Sequence, residues 1–205
     1  MASVLAGFRP VKHLTGAPYN GQFNRYSISA SETVALNVGD LVILSNSDAA
    51  VDPVTGGVFP SVERAGPSNT TPVSAAVIVG SVVGFEPDYS NLNAANYRVG
   101  STARIVYVAD SPDLIFAAPQ DGVGGVVPAS AVGQNVAFVP GVTTTRESAM
   151  TVDSNGTIAT TNTLPLRIVG VTASPDNDVA STARPAEVLV MINTHQYANG
   201  STGVA

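Results

Sequence analysis

Short β-branched and aromatic runs recur along this chain, separated by clusters of Gly, Pro, Asn, Asp and Ser. The clearest pair is Ala103-Arg104-Ile105-Val106-Tyr107-Val108-Ala109 and Leu114-Ile115-Phe116-Ala117-Ala118. Between them, Asp110-Ser111-Pro112-Asp113 has turn chemistry, because Asp and Ser bond the local backbone and Pro presets φ. The pattern predicts a β-hairpin, with Tyr107 and Phe116 as inward-facing antiparallel partners. Ile105, Tyr107 and Ala109 share one face of the first strand, and Val106 and Val108 share the other with Arg104. Both faces are largely apolar, which places this strand inside a barrel or sandwich and not on a solvated sheet.

The same signals predict strands at Arg25–Ser29, Leu41–Leu44, Val58–Phe59 or Ser61–Arg64, Asn135–Val139, Leu166–Val171 and Glu187–Ile192. Gly39, in Val38-Gly39-Asp40-Leu41-Val42, is expected to take positive φ in the turn that delivers a buried strand. The longest apolar run, Val73 to Phe85, is too β-branched for a helix, and its Gly80 and Gly84 mark bulges or bends. A second hairpin is expected where Asp153-Ser154-Asn155-Gly156 turns between Met150–Val152 and Thr157–Ala159. Pro128–Val132, ended by Gly133, is the one short helix the pattern tolerates, apart from a single turn within the 86–100 loop. The expected fold is all-β: a small β-barrel or β-sandwich with long loops, an extended N-terminal arm and at most one short helix.

Residues 1–22 form that arm, 23–197 a single β domain (with a subdivision near 119–127 as the alternative), and 198–205 a flexible C-terminal tail. Pro10, Pro18 and glycines at 7, 16 and 21 break regular structure in the arm. Its two rings, Phe8 and Tyr19, predict docking on its own domain or on a neighbour. Phe8, Arg9 and Tyr19 are the candidate partner-binding residues.

Composition narrows the function. Charged residues make up 12% of the 205, against roughly 25% in ordinary soluble proteins. Lys12 is the only lysine, and Ser, Thr, Asn and Gly supply the polar surface. Such a neutral coat suits either an ordinary β protein or a surface covered by partners, since interface cores are depleted of charge. A net charge of −6 with no Lys/Arg cluster argues against nucleic acid as the main partner. Cysteine is absent, which excludes disulfides and thiolate metal sites. The first ten residues are a poor match to a signal peptide and no window reaches membrane-span length, so a soluble protein made in a cytoplasm is expected.

No catalytic constellation emerges. His13 and His195 are far apart and lack metal-ligand spacing. Gly80-Ser81-Val82-Val83-Gly84 is only superficially a nucleophile elbow, and Gly122-Val123-Gly124-Gly125 lacks the residues of a phosphate loop. Asp176-Asn177-Asp178 lacks the Gly and distal Glu of a calcium loop. Asn69-Thr70-Thr71 and Asn155-Gly156-Thr157 match the glycosylation triplet by chance. Asp110 and Asp113 are close enough for a carboxylate pair, yet turn chemistry accounts for both. Tyr97 and Tyr107 form no stacking ladder. The expectation is a non-enzyme with no catalytic residues, no cofactor and no metal.

The chain resembles the head decoration (cement) proteins of tailed bacteriophages. The likeness is carried by Gly7-Phe8-Arg9-Pro10-Val11-Lys12-His13, Gly16-Ala17-Pro18-Tyr19-Asn20-Gly21 and Val38-Gly39-Asp40-Leu41-Val42. It continues through Val79-Gly80-Ser81-Val82-Val83-Gly84-Phe85-Glu86-Pro87, Tyr107-Val108-Ala109-Asp110-Ser111-Pro112-Asp113-Leu114 and Leu166 to Ile192 with Asn193-Thr194-His195. These are scaffold motifs and no residue-level site carries over. The resemblance implies a virion protein on the capsid exterior, made in the host cytoplasm and binding the major capsid protein, commonly as a homotrimer. Charge and hydropathy lead to the expectation of no nucleic-acid and no membrane partner. The alternatives are another phage structural component, such as a tail or minor head protein, or a carbohydrate-binding β-sandwich, which needs an aromatic platform.

Overall fold

The structure, a computed structural model, describes residues 7–45, 57–89, 91, 93–142, 147–154, 156–172, 177 and 186–198. In chain order the strands are β1 (Arg9–His13), β2 (Asn24–Ile28), β3 (Leu41–Leu44), β4 (Val62–Arg64), β5 (Gly80–Phe85) and β6 (Arg104–Ala109). They continue with β7 (Leu114–Pro119), β8 (Asn135–Val136), β9 (Phe138–Val139), β10 (Thr151–Val152), β11 (Leu166–Val171) and β12 (Glu187–Ile192). A 3₁₀ turn at Ala129–Ala131 follows Pro128 and ends at Gly133, whose N–H bonds the Ile168 carbonyl at 2.8 Å. Among the described residues no helix is long and apolar enough to cross a membrane.

Among the described residues the strands form two five-stranded antiparallel sheets and one small pair, in a sandwich-like all-β fold without a closed barrel. The first sheet runs β1-β7-β12-β11-β8, the second β2-β6-β5-β3-β4, and β10 pairs with β9. Period-2 burial in β12 turns Val188, Val190 and Ile192 inward. They join Phe116, Leu166 and Ile168 from the first sheet, and Leu41 and Ala109 from the second, in the larger core cluster. Tyr26, Val42, Val62, Val82, Val106 and Val108 form a second cluster against the second sheet. A bridge between Ser27 and Ser61 draws its outer strands β2 and β4 toward each other.

The 103–118 segment differs from its expected hairpin. β6 and β7 do not pair: β6 lies between β2 and β5, and β7 between β1 and β12. The polar residues Asp110–Asp113 instead carry the chain from one sheet to the other. Each strand is apolar on both faces and acquires partners on both edges, which a two-stranded turn-back would not supply. Phe116 is buried in the larger cluster as expected, but Tyr107 is not its partner. Val106 and Val108 take the inner face of β6, leaving Tyr107 half-buried on the other, stacked on Phe23 at 4.4 Å between ring centroids.

Part of the arm is a strand as well, β1 at Arg9–His13. β1 pairs with β7 from Arg9↔Ala117 to His13↔Leu114, with a bulge between Pro10 and Lys12. Pro10 has no N–H to give a sheet, and an edge strand with a bulge is where proline is tolerated. The chain then returns on itself, with Tyr19 N–H bonding the Val11 carbonyl at 2.9 Å. Asn135–Val139 is split rather than continuous: β8 pairs with β11, and β9 with β10. The second hairpin is also absent, since Ala159 bridges Asn135 and not the 150–152 segment.

Gly39 and Gly84 behave as the pattern required, whereas Gly80 marks a close strand approach and not a bulge. Gly39 has φ +92°, and its N–H bonds the Val82 carbonyl at 2.8 Å. A Cβ on Gly80 would stand 2.2 Å from the Ala109 carbonyl oxygen, so β5 and β6 approach too closely for any side chain there. The bulge itself falls between Val82 and Gly84.

Buried arginines hold the loops to these sheets. Arg98 is fully buried and donates to the carbonyls of Thr102 (2.8 Å), Val34 (2.6 Å), Ser29 (2.9 Å) and Glu32. Arg64 donates to Asp40 at 3.3 Å and to the carbonyls of Gly66, Pro67, Pro140 and Gly141. Asp40 also accepts from Ser148 Oγ at 2.6 Å and Asn37 N–H at 2.9 Å. Burial raises its carboxyl pKa, opposed by Arg64 and Ser148. A buried charge is tolerated when its hydrogen bonds are satisfied in this way.

Candidate functional site

Where β1, β2 and the 110–113 crossover meet, the surface opens into a cleft of about 560 Å³. It is lined by His13, Tyr19, Gln22, Phe23, Asn24, Tyr26, Asp110, Ser111, Pro112, Leu114 and Tyr197. Three distant stretches meet here because β1 pairs with β7, β2 pairs with β6, and the crossover joins β6 to β7. Tyr197 follows the end of β12, where Tyr197 N–H donates to His195 Nδ1 at 3.0 Å.

The cleft's chemistry is organised around two carboxylates. Asp110 accepts Asn24 Nδ2 at 3.0 Å on each oxygen and also accepts the Tyr26 hydroxyl. Tyr26 OH lies 3.1 Å from Tyr197 OH. Burial first, then these bonds to Asp110 and Tyr197, push the Tyr26 phenol pKa well above its ordinary value. Asp113 accepts Ser111 Oγ at 2.6 Å and lies 3.1 Å from His13 Nδ1 through both oxygens. A carboxylate only accepts, so the hydrogen sits on His13 Nδ1. Ser111 and then His13 lower the Asp113 pKa, keeping it ionised. Phe23 and Tyr197 carry apolar surface at the rim, 47% and 52% exposed. Tyr19 is half-buried against the larger core cluster and donates its hydroxyl to the Gln22 carbonyl at 2.8 Å. Burial raises its pKa.

The three candidate partner residues fall in different environments. Phe8 is 0% exposed. Its ring lies in the chain's own core, and its carbonyl accepts Ser81 Oγ at 2.6 Å. Of the two docking places expected for it, Phe8 takes its own domain, and its candidacy as a partner-binding residue is corrected: a ring buried in the home core is not available to a partner. Arg9 is solvent-accessible, paired with Glu187 across the first sheet, and outside the cleft. Tyr19 alone belongs to the cleft.

Sequence reasoning set the two histidines apart, yet one lines this site and the other is buried next to one of its lining residues. His13 lines it, and His195 is buried beside Tyr197, their ring centroids 5.8 Å apart. Since Nδ1 of His195 accepts a bond, its hydrogen is on Nε2, which meets no acceptor in full hydrogen-bond geometry among the described residues. Burial lowers the His195 pKa, opposed by Asp110. The weighed carboxylate pair Asp110/Asp113 was the signal that pointed here. Asn24, Tyr26 and Tyr197 carried none.

Of the Asp176–Asp178 triplet only Asn177 is among the described residues. It ties the end of β11 to the start of β12 by donating to the Thr172 and Glu187 carbonyls and accepting Glu187 N–H. No protein-family model matches this chain, and no curated protein or solved structure matches it at a significant level.

Proposed function

We propose that this protein is a structural virion component that binds the outside of an icosahedral phage capsid and reinforces contacts between coat subunits, as a homotrimer at local three-fold positions. The observation that carries the reading is the spread of the resemblance over the scaffold. Its segments include Phe8 in the core, the Gly39–Asp40 turn, the tight β5–β6 approach at Gly80, the 110–113 crossover, and β11 with β12. They belong to both sheets rather than to one local motif. A charge-poor composition and exposed apolar side chains at Val11, Leu14 and Phe23 suit a surface that partners cover.

Reinforcement in this reading is additive. Each copy buries apolar area across a seam between coat subunits, gaining roughly 25 cal/mol per Å² of apolar surface removed from water. Binding to the expanded shell and not to its separated subunits shifts the equilibrium toward the intact shell. A copy engaging two or three subunits at once gains further from effective concentration.

A carbohydrate-binding sandwich is favoured by one observation, the rings of Phe23, Tyr26 and Tyr197 at a single cleft. The two readings separate in a pelleting experiment with expanded, undecorated capsids of the phage that encodes this chain. The decoration reading expects the purified protein to sediment with them without added cofactor. Protein that stays in the supernatant at micromolar concentration overturns it.

A further inference from the structure

The cleft between β1, β2 and the 110–113 crossover has an unbalanced polar inventory. Four of its donors are turned onto its own carboxylates: Asn24 Nδ2 and Tyr26 OH serve Asp110, while Ser111 Oγ and His13 Nδ1 serve Asp113. The Tyr19 hydroxyl serves the Gln22 carbonyl and Tyr197 meets Tyr26, which leaves the Gln22 amide as the remaining neutral donor of the lining. What remains is acceptor capacity with negative charge: the Asp113 side chain is 41% exposed, and each carboxylate offers about four lone-pair positions, more than its bonds within the cleft fill. No lysine or arginine lines the cleft among the described residues. Carboxylates in a concave wall focus a negative potential.

The rims complete the picture. Phe23 is held in place by its stack on Tyr107, and about half its surface remains open. Tyr197 is similarly open and is tethered through its hydroxyl to Tyr26. Ring faces beside a carboxylate attract a cation by the ring quadrupole as well as by charge. The volume of about 560 Å³ falls within the roughly 300–1,000 Å³ of sites for small groups. A sugar fits this inventory less well, because its hydroxyls need donors as well as acceptors and the Gln22 amide is the one neutral donor of the lining not already serving a carboxylate, a carbonyl or a hydroxyl.

We infer that this cleft receives a cationic side chain, the guanidinium of an arginine or the ammonium of a lysine, presented by the capsid protein. The partner's identity rests on the decoration reading; the cationic specificity does not. The cation sits against Asp110 with its stem between Phe23 and Tyr197. A guanidinium suits the site better than an ammonium, because its planar fork serves a carboxylate bidentately and stacks on rings.

Two measurements test this separately. First, acetyl-arginine amide is titrated into the isolated protein while its aromatic NMR signals are followed, with acetyl-glutamine amide and methyl α-glucoside as controls. The arginine probe is expected to shift the Phe23 and Tyr197 rings, and Asp110→Asn, which keeps the side chain's shape and an acceptor oxygen, to abolish the shift. Equal shifts with the glutamine probe, or shifts with the glucoside alone, overturn the cationic assignment. Second, Asp110→Asn and Tyr197→Ala are pelleted with expanded capsids beside wild type. Each is expected to bind at least tenfold more weakly, with binding further reduced by salt. Wild-type pelleting with unchanged variant binding overturns the cleft's role while the decoration reading stands. Failure of wild type itself to pellet overturns the partner, and the NMR result then decides the site on its own. Self-association of the wild type that Asp110→Asn removes assigns the cation to a second copy of this chain and overturns the inference as stated.

Discussion

Arg98→Ala is expected to be among the most destabilising single changes in this chain. Arg98 is fully buried, and its guanidinium fans onto four carbonyls from two separate loops, Ser29, Glu32 and Val34 on one side and Thr102 on the other. Its backbone also pairs with Leu36, by N–H···O bonds of 3.0 and 2.8 Å. Hydrogen bonds to a charged donor contribute about 1.5–3 kcal/mol each. Summed without relaxation they exceed what a loop can lose, because freed carbonyls near the surface regain water. The magnitude therefore settles at about 3–6 kcal/mol, the equivalent of two such bonds lost without replacement. That is a large share of a total stability of roughly 5–15 kcal/mol. Arg98→Lys should rescue little, since a compact ammonium with three donors cannot reach four carbonyls spread in a plane. The chain has no tryptophan, so urea unfolding is best followed by far-UV circular dichroism. A loss below about 1 kcal/mol for Arg98→Ala with an unchanged denaturant slope would refute the reasoning.

Phe116→Ala removes a ring at the centre of the larger cluster and is expected to cost roughly 3–5 kcal/mol. Tyr107→Ala loses mainly one exposed stack, about 1 kcal/mol. Equal losses in the two variants would contradict the placement of β6 and β7 in different sheets. A pH effect follows from His195, buried neutral with a lowered pKa. A depressed folded-state pKa gives stability that is present above the unfolded value of about 6.5 and is lost as pH falls below it. Wild type should therefore lose stability between pH 7.5 and 5.5, and His195→Gln should lose less; identical losses in denaturant midpoint would exclude His195 as the source.

Strands β3, β11 and β12 were legible to the residue, because each is a β-branched run bounded by turn formers. The 103–118 segment was misread for a physical reason. A tight polar loop between two apolar runs serves a hairpin and a sheet-to-sheet crossover equally well. The choice is made by distant strands: β1 and β12 claim β7, while β2 and β5 claim β6. β1 was hidden by Pro10, which suggests a break until its edge position and bulge are known. The arm therefore cannot be deleted without removing an edge strand and the Phe8 ring from the core. The cleft was legible only as the carboxylates Asp110 and Asp113, since residues 13–26 and Tyr197 reach them through pairings no local pattern encodes. The loop-holding arginines left no periodic signal at all. In a chain with so few charges, a lone arginine flanked by loop formers is the nearest thing to one.

The central claim is that this chain occupies the capsid exterior, and a cryo-EM reconstruction of the virion tests it most directly. The account predicts density fitting the two-sheet fold on the outer surface at local three-fold positions, with its copy number scaling with that of the coat protein. Density for this fold confined to the tail or to a single vertex, or a capsid exterior without it, would contradict the account.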